Sequence, residues 1–114
     1  MINNYPEVSK VEEIDGNKII VSMLIKPECD LFKGHFEKAP IMPGIGQIDI
    51  AINMASKYFD IHKDRFNNIP VAKFKRAILP NDFLDLHLIK REGIIDFEYF
   101  IDNHQASSGR IKYA

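Results

Sequence analysis

The chain has 114 residues, of which 27% are charged and 46% hydrophobic, and its net charge at pH 7 is −1. This length suits one domain rather than two, so we expect a single domain over residues 1–114. The hydrophobic content excludes a disordered or fibrous chain, and the near-zero charge gives no general argument for a nucleic-acid or membrane-surface partner.

Two features of the sequence predict a cytoplasmic protein. Cys29 is the only cysteine, so no internal disulfide can form, as is usual in a reducing compartment. The first six residues lack the basic and apolar regions of a signal peptide, and the longest apolar stretch is far shorter than a membrane span.

The N-terminal part predicts two strands, over residues 8–14 and 18–26. Asp15-Gly16 between them is typical of a tight hairpin turn, in which both central residues need a positive φ. A loop is predicted over 27–44, because its glycines and prolines interrupt regular structure.

Residues 45–59 predict one long helix, with Pro43 suited to its first turn. The apolar residues repeat at helical spacing and cover most of the circumference, so we expect burial on nearly all sides. They are Ile45, Ile48, Ala51, Ile52, Met54, Ala55, Tyr58 and Phe59.

The C-terminal part predicts strands over 71–79, 83–90, 95–101 and 105–113. Alternation of apolar and polar residues, as in Leu84, Asp85 and Leu86, indicates strands with one buried face in an antiparallel sheet. One buried helix against such a sheet gives an α+β fold class.

Three of the polar residues in the predicted helix share one stripe of its surface. Asp49, Asn53 and Ser56 are spaced four and three residues apart, which places them on one stripe. A buried carboxyl group tends to stay protonated, which would suit an acid catalyst. The alternative is an ordinary surface Asp that the helix dipole stabilises near the N-terminus.

The loop before the helix resembles the active-site segment of the beta-hydroxyacyl-(acyl carrier protein) dehydratases. That family carries G-H-F-P-G-x-P-x-x-P-G, followed by an acidic residue fourteen positions after the His. The matching residues here are Gly34, His35, Phe36, Pro40, Pro43 and Gly44, and the acidic position is Asp49. Residues 72–82 resemble the family's downstream strand and turn, R-F-K-R-P-V-x-P-G-D.

The sequence departs from the family pattern at three places. Glu37 and Lys38 replace the Pro-Gly pair after the G-H-F segment, and Asn53 stands where many members have Gln. Gly46-Gln47, which follows Pro43-Gly44-Ile45, resembles the sequence of a smaller branch of the family, the thioester dehydratases of aryl-polyene-type pathways. These differences concern the pathway and substrate more than the chemistry.

The resemblance implies a hotdog fold, in which a mostly antiparallel sheet wraps one long central helix. It implies dehydration of 3-hydroxyacyl groups on acyl carrier protein, in fatty-acid or related lipid or polyene synthesis, without a metal or cofactor. His35 would be the base, because an imidazole titrates near neutral pH, and Asp49 the acid. The resemblance places the substrate at Gly44, Ile45, Asn53 and Phe36, with the Gly44 amide, and Ile45 beside it, facing the thioester oxygen.

The resemblance also implies a homodimer or an oligomer of dimers. Each active site would take His35 from one chain and Asp49 from the other. The basic residues between Lys57 and Arg76 would form a docking surface for acidic acyl carrier protein, or else an ordinary solvated face.

Two other functions are compatible with the sequence. A hotdog thioesterase would use an acidic helix residue to activate water, although such enzymes usually lack the G-H-F segment. A hotdog protein could also bind acyl groups without chemistry. The remaining histidines, His62, His87 and His104, share no metal-ligand spacing and are expected to be solvated or structural.

Overall fold

The computed structural model describes residues 6–26 and 42–114. Within them the chain forms one helix, α1, and six strands, with a single 3₁₀ turn at Lys63–Arg65 after the helix. The helix spans Gly44–Phe59. The strands are β1 Glu7–Asp15, β2 Lys18–Leu24, β3 Phe66–Phe74, β4 Phe83–Arg91, β5 Ile94–Ile101 and β6 His104–Tyr113.

All six strands belong to one antiparallel sheet in the order β1-β2-β4-β5-β6-β3. Strands β4, β5 and β6 follow one another through hairpins, whereas β3 lies at the edge beside β6. One helix with an antiparallel sheet confirms the predicted α+β class. No helix in the described ranges is long and apolar enough to cross a membrane.

The predicted alternation of buried and solvated residues is confirmed on the central strands. In β4 and β5 every second side chain lies in the core, and the intervening residues are half-buried or exposed. The buried residues of these two strands are Leu84, Leu86, Leu88, Ile95, Phe97, Tyr99 and Ile101. This face of the sheet packs with the apolar side of α1 in one hydrophobic core.

The third strand lies earlier in the chain than predicted. We expected residues 71–79, but β3 spans Phe66–Phe74. Asn67, Asn68 and Pro70 have turn-forming character, yet an edge strand accepts a proline because its missing N–H is not needed in the ladder. The pairing with β6 is irregular at this point, with register shifts between Phe66 and Val71.

The first hairpin also differs from expectation. The turn residues are Gly16 and Asn17 rather than Asp15 and Gly16, and neither has a positive φ. The Asp15 carboxylate instead accepts a hydrogen bond of 2.7 Å from the Asn17 amide. Such an Asx turn reverses the chain without left-handed backbone.

The helix is buried on one face only, so the prediction of burial on nearly all sides is wrong for this chain. The buried positions are Gly46, Gln47, Ile50, Ala51, Met54 and Ala55. On the opposite face Ile48, Asp49, Ile52 and Asn53 are half-buried, and Ile45 is 79% exposed. The reason is that one sheet covers only one side of a helix.

Candidate active site

The helix begins beside the segment that joins β3 to β4, where the Met42 amide donates to the Ile78 carbonyl at 2.8 Å. Pro43 is in extended conformation, and its carbonyl accepts hydrogen bonds from the Gly46 and Gln47 amides at 3.0 and 3.1 Å. The amides of Gly44 and Ile45 belong to the first helical turn, where no preceding helical carbonyl can accept from them. The helix dipole makes this end favourable for a negative oxygen.

A buried polar network fixes the helix start against the sheet. The Gln47 side chain accepts from the Ser107 hydroxyl at 2.7 Å and donates to the Met42 carbonyl at 3.3 Å. The Tyr99 hydroxyl donates to the Gln47 carbonyl at 2.6 Å. Because Gln47 is only 3% exposed and Ser107 fully buried, these bonds replace lost contacts with water.

Sequence reasoning missed this network. From the sequence, Gln47 indicates only a similarity to one branch of the family. The available signal was a glutamine on the apolar side of a helix, where a polar side chain requires a partner. Its two partners on the sheet, Tyr99 and Ser107, lie 52 and 60 residues further along the chain, so no local pattern identifies them.

A cavity of about 370 Å³ opens beside the helix start. It is lined by Met42, Pro43, Gly44, Gln47, Phe74, Lys75, Arg76 and Ala77. The Phe74 ring reaches Gly44 so closely that a Cβ atom there would lie 2.6 Å from a ring carbon. This close contact gives a packing reason for glycine at position 44.

Asp49 lies about 7.5 Å further along the helix axis than Gly44, from a rise of about 1.5 Å per residue. Asp49 is half-buried. This degree of burial is intermediate between the two alternatives, a buried carboxyl group and a surface Asp. The Asn53 amide donates to the Asp49 carboxyl oxygen Oδ2 at 3.2 Å and to the Asp49 carbonyl at 2.9 Å. The structure therefore brings these two predicted residues together.

A second cavity of about 370 Å³ continues along the helix from Asn53. It is lined by Asn53, Met54, Ser56, Lys57 and Lys63. Ser56, the third member of the predicted polar stripe, thus shares a cavity with Asn53.

The two predicted loop residues, His35 and Phe36, lie outside the described residues. The pairing of His35 with Asp49, and the contact of Phe36 with substrate, therefore stay predictions.

The basic residues between Lys57 and Arg76 do not form one cluster. Lys57 and Lys63 border the second cavity, whereas Lys75 and Arg76 border the cavity at the helix start. We call Lys73, Lys75 and Arg76 the basic patch; all three are exposed. The Lys75 ammonium donates to the side-chain oxygen Oε1 of Gln105, on β6, at 2.7 Å.

His87 lies on the face of the sheet that is turned away from α1. It is half-buried, and its ring centre is 4.6 Å from that of Phe100. Burial and then the Lys18 charge lower the pKa of His87, against the opposing effect of Glu98 and Asp85. Its surroundings support the predicted structural role.

The other two histidines in the described ranges are at the surface. His62 accepts a hydrogen bond of 3.3 Å from the Asp64 amide at the start of the 3₁₀ turn, and His104 is exposed at the start of β6. In the part of the chain that the structure describes, no three His, Cys, Asp or Glu residues are grouped as metal ligands.

A family model for the ApeI-like proteins, described as ApeI dehydratase, matches residues 11–110. The chain belongs to the ApeI-like dehydratase family. The suspected family resemblance, including the aryl-polyene-type branch, is thereby confirmed, and membership places the chain among hydro-lyases.

The relatives of this ApeI-like chain include curated dehydratases. A 3-hydroxyacyl-(acyl-carrier-protein) dehydratase FabZ from Clostridium perfringens strain SM101 is 31% identical, covering 94% of this chain and 85% of the relative. A FabZ from Ruminiclostridium cellulolyticum is 29% identical over similar shares, 94% and 84%.

Solved structures share the fold. The dehydratase heterocomplex ApeI:P from Xenorhabdus doucetiae superimposes with a TM-score of 0.84 at 28% identity, covering 94% of this chain and 96% of that one. An uncharacterized protein from Erwinia carotovora subsp. atroseptica gives 0.78 at 29% identity, covering 96% and 95%. These likenesses confirm the predicted hotdog fold.

Proposed function

We propose that this ApeI-like chain removes water from 3-hydroxyacyl thioesters on acyl carrier protein and releases 2-enoyl thioesters. The observation that carries the proposal is a half-buried Asp49, held by Asn53, on a helix whose first residue, Gly44, lines a cavity. The names of the FabZ relatives support the substrate class.

The proposed reaction needs one base and one acid. His35 takes a proton from C2 of the substrate, and the electron pair left behind forms the C2–C3 double bond. The C3–O bond breaks, and the hydroxyl leaves as water after it receives the proton of Asp49. His35 then carries the proton taken from C2, Asp49 has given its proton to the departing water, and exchange with solvent restores both groups.

Asn53 suits the role of positioning Asp49. Its amide donates to Oδ2, which fixes the orientation of the carboxyl group on the helix. We also assign Asn53 to the substrate pocket, together with Phe36 of the preceding loop.

Charge that develops on the thioester oxygen needs hydrogen-bond donors. The Gly44 amide, with Ile45 beside it, supplies them at a helix end whose dipole favours negative charge. The Gln47 network holds this end rigid, so the donors need little rearrangement during the reaction.

We further propose a homodimer in which His35 of one chain meets Asp49 of the other. Two features support a second copy on this side of the molecule. The apolar Ile45 is 79% exposed on the same helix face as Asp49, and the edge strand β3 exposes Ile69 and Val71. A partner helix and a continued sheet would cover both.

The remaining parts of the proposal concern context. Residues 1–114 would form one domain, and the basic patch would attract the acidic carrier protein. The single cysteine, Cys29, is compatible with the cytoplasm, where thiols stay reduced.

The product of one reaction tests this function. The purified protein is incubated with a 3-hydroxyacyl carrier protein and, separately, with a simple acyl thioester. We expect a 2-enoyl thioester from the first and no free thiol from either. Release of free thiol would indicate a thioesterase, and no change in either substrate would indicate a binding protein.

The variant His35→Ala is the matched control for that assay. It should fold normally, because a histidine in the loop predicted over 27–44 is expected to contribute little to the core, and should lose activity by about 10²-fold or more. Near-normal turnover by the folded variant would contradict the role of His35.

A further inference from the structure

The side chain of Gln47 reaches back over the start of α1. Gln47 is the fourth residue of the helix, and its amide nitrogen Nε2 donates to the Met42 carbonyl at 3.3 Å. Pro43, the residue that precedes the helix, has no polar side chain with which to cap it, as a serine or an aspartate would. A side chain within the helix therefore binds the entering segment instead.

Met42 is held on both sides of its backbone. Its amide donates to the Ile78 carbonyl at 2.8 Å, and its carbonyl accepts from Gln47. Met42 and Ile78 are at most 1% exposed and Gln47 is 3% exposed, so both hydrogen bonds lie in the interior, where they are stronger than in water. The chain thus enters the helix from a fixed position.

The position of Met42 sets the direction of the Gly44 amide. The Pro43 carbonyl points into the helix, where it accepts from the Gly46 and Gln47 amides. Since the Pro43–Gly44 peptide bond is planar and trans, the Gly44 N–H points the opposite way, out of the helix end. The Pro43 ring also fixes φ, here −66°, so a displacement of Met42 is passed on to this peptide group.

Two strands of the sheet hold Gln47 itself. The Ser107 hydroxyl, on β6, donates to the side-chain oxygen Oε1 at 2.7 Å, and the Tyr99 hydroxyl, on β5, donates to the main-chain carbonyl at 2.6 Å. Both donors are fully buried on paired strands inside the sheet. Gln47 thus transmits the position of the sheet to the residues before the helix, and it lines the same cavity as Gly44.

We propose that Gln47 is a positioning residue for dehydration, which keeps the Gly44 N–H directed at the thioester oxygen through its bond to Met42. The inference rests on the proposed function. A donor that is held in place before charge develops needs no rearrangement in the transition state. Loss of the Gln47 bond should therefore weaken transition-state stabilisation more than it weakens substrate binding.

Steady-state kinetics on a small 3-hydroxyacyl thioester test this role, with circular dichroism to confirm that each variant is folded. Gln47→Met keeps the length of the side chain and removes its hydrogen bonds. We expect kcat to fall by about 10-fold to 10²-fold and KM to stay within about threefold. Ser107→Ala, which removes the support of the Gln47 side chain, should lower kcat less, and the matched control Ser108→Ala should leave kcat unchanged.

The outcomes separate this proposal from the function beneath it. Normal kcat in a folded Gln47→Met variant, or a loss expressed only in KM, would overturn the positioning role and leave the dehydratase function intact. If the unaltered protein releases no water, NMR relaxation of the Gly44 amide still decides. Its order parameter should be about 0.85, as in rigid backbone, and should fall below about 0.6 in Gln47→Met. An unchanged order parameter would overturn the proposal.

Discussion

Removing the Ser107 hydroxyl tests whether the buried network holds the helix start. Ser107→Ala removes the hydroxyl that donates to Oε1 of the Gln47 side chain. That oxygen loses this donor on a residue that is only 3% exposed. An unsatisfied buried polar group costs about 1–3 kcal/mol. We therefore expect the free energy of unfolding to fall by about that amount, or Tm by about 4 °C per kcal/mol.

A double-mutant cycle separates this effect from a general loss of packing. In Gln47→Leu/Ser107→Ala both partners are gone, so the combined cost should be smaller than the sum of the single costs by about 1 kcal/mol. Urea unfolding at a fixed protein concentration measures all variants, with an unchanged m-value as the check on two-state behaviour.

The control for this cycle is the neighbouring serine. Ser108 is half-buried and lines a cavity on the other face of the sheet, so Ser108→Ala should stay within about 0.5 kcal/mol of the unaltered protein. If Ser107→Ala were equally harmless, or if the two network substitutions were additive, the hydrogen bonds would not anchor the helix as inferred.

Three further predictions concern assembly, recruitment and pH. Mixing His35→Ala with Asp49→Ala after dissociation should restore about a quarter of the sites, because half of the dimers are mixed and one site in each mixed dimer is intact. Proven exchange of subunits without regained activity would refute the shared site. Activity on carrier-bound substrate should fall as the salt concentration rises, because salt screens exposed charges such as those of the basic patch within about 10 Å at 0.1 M, while activity on a small uncharged thioester should change little. Equal responses of the two substrates would show that the patch is an ordinary solvated surface. The pKa of His87 is lowered in the folded chain, so the unfolded state binds more protons. The contribution of His87 to stability is therefore complete above about pH 6.5 and is lost as the pH falls through the folded pKa. Urea unfolding of His87→Gln should show a weaker loss of stability in that range, and an unchanged pH profile would contradict the assignment.

The elements with a strong period were predictable from sequence. The helix began within one residue of its predicted start, since Pro43 and the spaced apolar residues both indicate it. Strands β4 and β5 followed from alternation alone. Asp49 and Asn53 were placed on one stripe by their spacing of four, and the structure joins them by a hydrogen bond.

Features that depend on distant neighbours were not predictable. The face of α1 that stays open is determined by how much of the helix one sheet can cover, which no local pattern encodes. The Gln47 partners and the position of β3 at the edge depend on strand order. Pro70 fits within β3 because β3 is an edge strand, and the local sequence does not show which strand lies at the edge.

The most direct measurement for the central claim is the rate of water loss catalysed by Asp49 variants. A 3-hydroxyacyl carrier protein is incubated with the unaltered protein, Asp49→Asn and Asp49→Glu, and the 2-enoyl product is followed by mass. The account predicts rapid loss of one water with the unaltered protein, a decrease of about 10²-fold or more with Asn, and partial activity with Glu, which keeps a transferable proton. Near-normal turnover by a correctly folded Asp49→Asn variant would contradict it.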